Sequence, residues 1–317
     1  MTRLLGPIFV LIFALSQAVR DVYFARAFQG IDFFAVVLIA FAIATIVFGG
    51  ITLLRTPEAF GKLRREFWTV AAMNLTTAIA WSCYFFALSH LEPAVVNTIH
   101  SGFAPLTVLA LSVFWPSFSK REAKGVAEYG CYAGLVLSLL ALAAVVLSGR
   151  SGIPLDSITT GLESLGALAV SGTSITISLL ISKRLHDRGI GADAVTAVRY
   201  WLLIVLAAVI EATSDHSSGI DSLATFSVLA VAAALLIALP TFVLQAGIAR
   251  SAPLTGQIIR SLGPVFVFAL EQLDQRIAYA MPSLVCILAY SVFVTGANLA
   301  HGWHAEARPA VLKAMRG

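Results

Sequence analysis

The stretch "AVVNTIHSGFAPLTVLALSVF", Ala94 to Phe114, contains no lysine, arginine, aspartate or glutamate. As a helix rising ~1.5 Å per residue it is long enough to cross the ~30 Å hydrocarbon core of a bilayer. Its polar members Asn97 and His100 are therefore the puzzle, because hydrocarbon offers them no water. A second run, "APLTGQIIRSLGPVFVFAL" from Ala252 to Leu270, poses the same question with Gln257 and Arg260.

Outward from these two runs the chain is of one kind. Over 317 residues, 59% are hydrophobic and 12% charged, and the mean hydropathy is +0.89, too little polar surface to coat a soluble globule. Apolar runs between charged or turn-rich breaks give ten spans: Leu4 to Val22, Phe33 to Leu53, Trp68 to Leu88, Ala94 to Phe114, Tyr129 to Leu147, Leu162 to Ile181, Ala194 to Ile210, Phe226 to Ala246, Ala252 to Leu270 and Ala278 to Ala297. Links as short as "SHLEP" and "IARSA" make neighbouring helices antiparallel hairpins. The expectation is an all-α membrane protein with ten transmembrane helices.

Basic residues set the orientation. With the N-terminus inside, the inner segments hold 15 Lys/Arg: Arg3, Arg55, Lys62, Arg64, Arg65, Lys120, Arg121, Lys124, Lys183, Arg184, Arg188, Arg250, Arg308, Lys313 and Arg316. The outer segments hold four, Arg20, Arg26, Arg150 and Arg276. This bias predicts cytoplasmic N- and C-termini in an inner (plasma) membrane. The opening "MTRLLGPIFVLIFALSQA" also has the form of a cleavable signal ending at Ala18, and the repeat described next weighs against cleavage. The three cysteines, Cys83, Cys131 and Cys286, fall in separate apolar runs and suggest neither a disulfide framework nor a metal cluster. The scattered net charge of +4 argues against nucleic acid as a partner.

Shifting the chain against itself by 159 residues places "IDFFAVVLIAF" (Ile31 to Phe41) on "IGADAVTAVRY" (Ile190 to Tyr200), Ala87 on Ala246 and Pro105 on Pro264. One residue more puts Pro93 on Pro253, Asn97 on Gln257 and His100 on Arg260. The two puzzling runs become the fourth helix of each half. Five helices per half is odd, so the halves insert in opposite senses, a transporter plan with its site near the midplane between repeats. The expected division is a first repeat over 1–150, a second over 151–302 and a cytoplasmic tail over 303–317.

On "YFFALSHLEPAVVNTIHSGFAPL" (Tyr84 to Leu106), "FVLQAGIARSAPLTGQIIRSLGPVF" (Phe242 to Phe266) and "SKRLHDRGIGADAVTAVRY" (Ser182 to Tyr200), the chain resembles the drug/metabolite transporter superfamily, EamA type. The resemblance covers nearly the whole chain and implies ten helices in two inverted five-helix repeats, with Arg199 early in helix seven. It also implies export. The glycine-glutamate pair that often closes helix four is replaced here by Lys120-Arg121-Glu122, and in the second half by Glu271 with Asp274.

Ionisable groups inside a bilayer are costly and usually face a pathway. Asn97, His100, Ser101 and Ala104 form one helical stripe, as do Gln257, Arg260, Ser261 and Pro264. Both are read as cavity linings, with interhelical hydrogen bonding as the alternative for Asn97 and His100. Pro105 and Pro264 are expected to kink their helices. Arg199 is divided between the cavity and snorkelling to the interface. Arg20 and Asp21 are a coupling or gating pair or an interfacial pair, and Trp81, Tyr84, Tyr200 and Trp201 are substrate-stacking rings or an aromatic belt. Asn74-Leu75-Thr76 matches a glycosylation triplet but lies inside a span. Gly130, Gly134 and Ser138 permit close helix approach, within the bundle before a dimer seam.

No phosphate loop, no intramembrane aspartate pair and no nucleophile with a local histidine is present, which sets a membrane enzyme aside, and no repeated filter loop favours a channel. The expected function is export of small organic metabolites, amino-acid-like or anionic and zwitterionic solutes, by alternating access without a cofactor. A proton-coupled exporter of drugs or lipophilic cations, in which Asp21 titrates, is the second reading. Expected partners are the solute and membrane lipid, with proton coupling left open and the chain a monomer or homodimer.

Overall fold

A computed structural model of the chain describes residues 2–28, 30–115, 125–213, 220, 222–240, 243 and 259–314. Every regular element among them is helical: α1 (Thr2–Ala27), α2 (Phe33–Arg55), α3 (Glu58–Arg65), α4 (Phe67–Leu88), α5 (Pro93–Phe114), α6 (Val126–Leu147), α7 (Ile158–Asp187), α8 (Ala192–Val198), α9 (Trp201–Thr213), α10 (Leu223–Ala233, prolonged by a π turn over Ala234–Ala238), α11 (Gly263–Glu271) and α12 (Met281–Ala314). Eight segments are long and apolar enough to cross a bilayer: α1 from Gly6, α2, α4, α5, α6, α7, α8 with α9, and α12 to His301. The protein has the helices of a multi-pass membrane protein. Of the other two expected spans, Leu223–Ala238 is a shorter apolar helix. The run Ala252 to Leu270 is described only from residue 259 onward, so Gln257 and the Ala246 match lie outside the described residues.

Hydrocarbon gives helices no hydrophobic drive toward one another, so close packing and small residues must hold the bundle. The glycines show where. A methyl group on Gly172 of α7 would meet the His100 carbonyl oxygen of α5 at 2.3 Å, and one on Gly134 of α6 would meet the Phe293 ring of α12 at 2.3 Å. Gly134 thus serves packing inside the bundle, and farther along the same seam Gly296 of α12 faces the Cys131 sulfur of α6. Helix α4 packs on α7 and α9, α5 on α7 and α11, α6 on α12, α2 on α8, α9 and α10, and α1 on α11 and the π turn. The perimeter is apolar, with Ile46, Leu54, Trp68, Phe114, Leu137 and Val205 exposed, as a lipid-facing surface requires.

Three features differ from the expected spans. Helix α3 is a short basic helix in the second connection, held by Ala59 and Leu63 in a cluster with Ile181, Leu185 and Ile190. The seventh run is broken between α8 and α9, at Arg199 and Tyr200, with no proline or glycine to mark the place. The two prolines also behave differently. Pro105 lies inside an unbroken α5, whereas Pro264 opens α11 just after a turn at Leu262. Proline lacks the N–H that an interior position needs but is well suited to a helix's first turn.

Candidate functional site

A central cavity of about 110 Å³, room for several water molecules, lies where α1, α4, α5, α7, α10 and the residues flanking α8 and α11 converge. Three guanidinium groups border it: Arg20 from α1, Arg199 from the α8–α9 break, and Arg260 just before α11. Trp81 and Tyr84 of α4, His100 of α5 and Tyr200 are also in the lining.

Arg20 and Asp21 are buried within the bundle. Asp21 is 0% exposed and Arg20 is buried, because α1 runs to Ala27, about one turn farther than the hydropathy reading ended it. Arg20 donates to Asp21 Oδ1 through Nε at 2.8 Å and Nη2 at 2.6 Å. Asn97 Nδ2 donates to the other oxygen, Oδ2, at 2.7 Å. The carboxylate is thus paired on both oxygens, as a buried charge must be. The Arg20 guanidinium also sits over the rings of Trp81 (5.0 Å) and Tyr84 (5.5 Å) and reaches the Tyr84 hydroxyl at 3.4 Å. Trp81 and Tyr84 therefore hold a cation in the cavity wall rather than form an interfacial belt.

His100 packs edge-on against Tyr84, with ring centroids 4.7 Å apart. Its Nδ1 lies 3.0 Å from Ser171 Oγ, and the Ser171 hydroxyl donates to the Ala80 carbonyl at 2.6 Å. A serine has one hydroxyl hydrogen, and Ser171 commits it to Ala80. His100 must then donate from Nδ1, which leaves Nε2 of the neutral ring as an acceptor.

Arg199 is buried and does not snorkel. Its Nε donates to Thr77 Oγ1 at 3.2 Å and its Nη2 to Ser178 Oγ at 3.1 Å, and no carboxylate pairs with it among the described residues. The helix break that aims it inward is braced from α4. Asn74 Nδ2 donates to the Val198 carbonyl at 2.7 Å, and Asn74 Oδ1 accepts from the Leu202 N–H at 3.2 Å. Asn74 thus replaces backbone bonds that the break removes, a role no local pattern signals. Tyr200 is buried against Phe41, with centroids 4.6 Å apart, while Trp201 is 59% exposed on the outer surface and is no part of the cavity.

The members of the two stripes part company. His100 and Arg260 reach the cavity. Ser101 does not line it and lies instead beside Tyr290 of α12. Ser261 likewise turns to α12, 3.0 Å from Thr295 Oγ1. Consecutive helical residues are about 100° apart, so Ser101 and Ser261 face the neighbour that flanks the cavity. Among the described residues no cluster of three or more His, Cys, Asp or Glu could hold a metal ion.

No family model matches the chain, and no curated protein matches it. A solved structure described only as "Crystal structure of protein" is similar to it with a TM-score of 0.60 at 18% identity, covering 93% of this chain and 94% of that chain. At that identity the likeness concerns the fold alone, and it extends over both chains almost completely.

Proposed function

We propose that the protein is a membrane carrier that moves small organic anions or zwitterions by alternating access through the central cavity. The observation that carries this reading is the charge of the cavity wall. Arg20, Arg199 and Arg260 border it, and Asp21, the one carboxylate bonded to them among the described residues, is committed to Arg20 and Asn97. Guanidinium groups in a narrow space favour a carboxylate or a similar anion, and the aromatic and aliphatic lining from Trp81, Phe13 and Leu236 suits an apolar remainder.

The pattern of helix neighbours supports two inverted five-helix repeats. Number the spans one to five as α1, α2, α4, α5 and α6. Number six to ten as α7, α8 with α9, α10, the run ending in α11, and α12. Adding or subtracting five turns the contact of three with six (α4, α7) into that of eight with one, in which the π turn prolonging α10 meets α1. It turns four with six (α5, α7) into nine with one (α11, α1), and three with seven (α4, α9) into eight with two (α10, α2). The pairs two with seven, four with nine and five with ten map onto themselves, and all of these contacts are observed. A pseudo-twofold axis through the cavity accounts for them. On this reading the ten-helix chain is of the drug/metabolite transporter kind, EamA type, with repeats over 1–150 and 151–302. Burial of Arg20 removes one of the four outer basic residues, so the bias becomes 15 to three and still favours cytoplasmic termini in an inner membrane. Export direction rests on the resemblance.

The cation-exporter reading is weaker, because a lipophilic cation would meet three guanidiniums and an acid already neutralised. The test is purified wild-type protein titrated with matched carboxylates, zwitterions and quaternary amines. Ligands that bind only the folded state raise its melting temperature. Anions or zwitterions are expected to stabilise it and to move across proteoliposome membranes, and stabilisation by the amines alone would refute the proposal.

A further inference from the structure

A second buried polar cluster lies away from the cavity. Glu92, in the turn before α5, is 1% exposed, and Glu271, the last residue of α11, is 0% exposed. Glu92 Oε2 accepts from the Gly152 N–H at 2.6 Å and from the Ser283 hydroxyl at 3.0 Å. Glu271 Oε2 accepts from the Ala94 N–H at 2.9 Å. The remaining oxygen of each, Oε1, is buried with no hydrogen-bond partner, and Glu271 accepts from the backbone two residues beyond Glu92, so the two carboxyls share one site. Two carboxylates buried at one site with no cation bonded to either disfavour double ionisation, and a hydrogen on one supplies the donor that the two unpartnered oxygens lack.

The surrounding charges are otherwise engaged. Arg276 is paired with Asp274 and holds that acid below the usual carboxylate range. Arg26 is exposed and its field falls on Asp274, Arg150 and Asp156 are exposed on the 148–157 connection, and His90 Nδ1 is bonded to Phe86 and Ser89. Along α5 the next ionisable residue is His100, in the cavity, and the first turn of α12 holds none. Burial pushes the Glu92 carboxyl above its ordinary range.

The cluster joins what a gate would have to part. Glu92 ties the α4–α5 turn to the 148–157 connection and to α12, and Glu271 ties the end of α11 to the start of α5. The Ala278 N–H closes the ring on the Gly152 carbonyl at 2.8 Å, where a side chain on Gly152 would strike the Ala278 oxygen at 2.7 Å. Opening the cavity toward this end must separate α5 from α11.

We propose that Glu92 and Glu271 form a one-proton site that latches this end of the bundle. With the proton, a hydrogen bond holds α5 to α11. Without it, two like charges face each other in a dry setting and push the helices apart. The proton site stands on its own geometry, and only its service as a gate rests on the carrier reading.

The test uses full-length purified protein. Infrared difference spectra should show a protonated carboxyl at neutral pH that titrates at higher pH and is lost in both E92Q and E271Q. Spin labels at Ser89→Cys and Leu273→Cys, with Cys83, Cys131 and Cys286 replaced, should report a separation that lengthens as the pH rises. With E271Q the separation should stay short throughout, because a neutral amide can donate to Glu92 at any pH. Absence of the carboxyl band, or a separation indifferent to pH in the otherwise wild-type protein, would overturn the proposal. Neither readout requires a transported solute, so a protein that moves no anion would sink the carrier reading while leaving these results decisive for the latch.

Discussion

Asp21 and the Glu92–Glu271 pair are both buried acids, and they are neutralised in opposite ways. Asp21 has a fixed counter-ion, Arg20, and a fixed donor, Asn97. The glutamates accept from backbone and hydroxyl donors on one oxygen each, and the second oxygen of each has no donor. A side-chain cation cannot leave, so the counter-ion of the first arrangement is permanent. A proton can leave, so the second can switch. On the proposed carrier reading, the cavity keeps a constant field for an anion, whereas the end of the bundle has an adjustable closure.

The harshest way to break this comparison is Asp21→Ala. It strands a buried guanidinium and the Asn97 amide, and removing one member of a buried pair costs about 3–5 kcal/mol. Thermal unfolding in detergent should show a large loss at every pH from 5 to 9. A loss confined to one end of that range would collapse the contrast.

Next in size is Arg260→Gln. Arg260 borders the cavity and is exposed to it, so its removal should leave stability nearly unchanged while an anionic solute loses a charge-assisted bond of about 1.5–3 kcal/mol, on the order of 10- to 100-fold in Kd. Wild-type affinity and flux per folded molecule would show that the constant field does not include this residue.

Third is the pH slope of stability. The buried glutamates favour their protonated form, so their folded-state affinity for the proton exceeds that of the unfolded chain. Their stabilisation is complete at low pH and declines as pH rises from the ordinary glutamate range, about 4.3, through the raised folded value. The slope approaches ~1.4 kcal/mol per pH unit for one proton. Glu271→Gln should flatten it, and an unaltered slope would assign the proton elsewhere.

These two sites were unequally legible in the sequence. Eight of ten apolar runs could be read because hydrocarbon forbids anything shorter or wetter, and His100 and Arg260 were conspicuous for the same reason. The depth of Asp21 was hidden because α1 continues through Tyr23, Phe24 and Ala25 to Ala27, where hydropathy thresholds stop before helices do. The break at Arg199 carries no Gly or Pro, and its brace, Asn74, comes from another helix. Ser101 turns toward α12 rather than the cavity because a stripe two residues wide spans two neighbours. Glu92 sits in "SHLEP", which reads as a solvent-exposed turn, and only the arrival of Glu271 and Gly152 buries it.

The smallest expected effect discriminates best between the two kinds of neutralisation. At pH 5, Glu271→Gln and Glu92→Gln should each lie within about 0.5 kcal/mol of the wild type, the range of a neutral substitution. The amide oxygen can take over the Oε2 role, accepting from Ala94 in one case and from Gly152 and Ser283 in the other, and the NH₂ can donate to the facing carboxyl where the shared proton stood. Asp21→Asn at the same pH has no such equivalence. The amide keeps the shape but leaves Arg20 facing a neutral group, and lowering the pH supplies nothing that replaces the lost charge. Chemical denaturation of the three variants side by side at pH 5 measures this difference. Should the two glutamine variants at the bundle end prove as damaging there as Asp21→Asn, the glutamates would be acting as fixed charges. The proton between Glu92 and Glu271 would then have no role in holding α5 to α11.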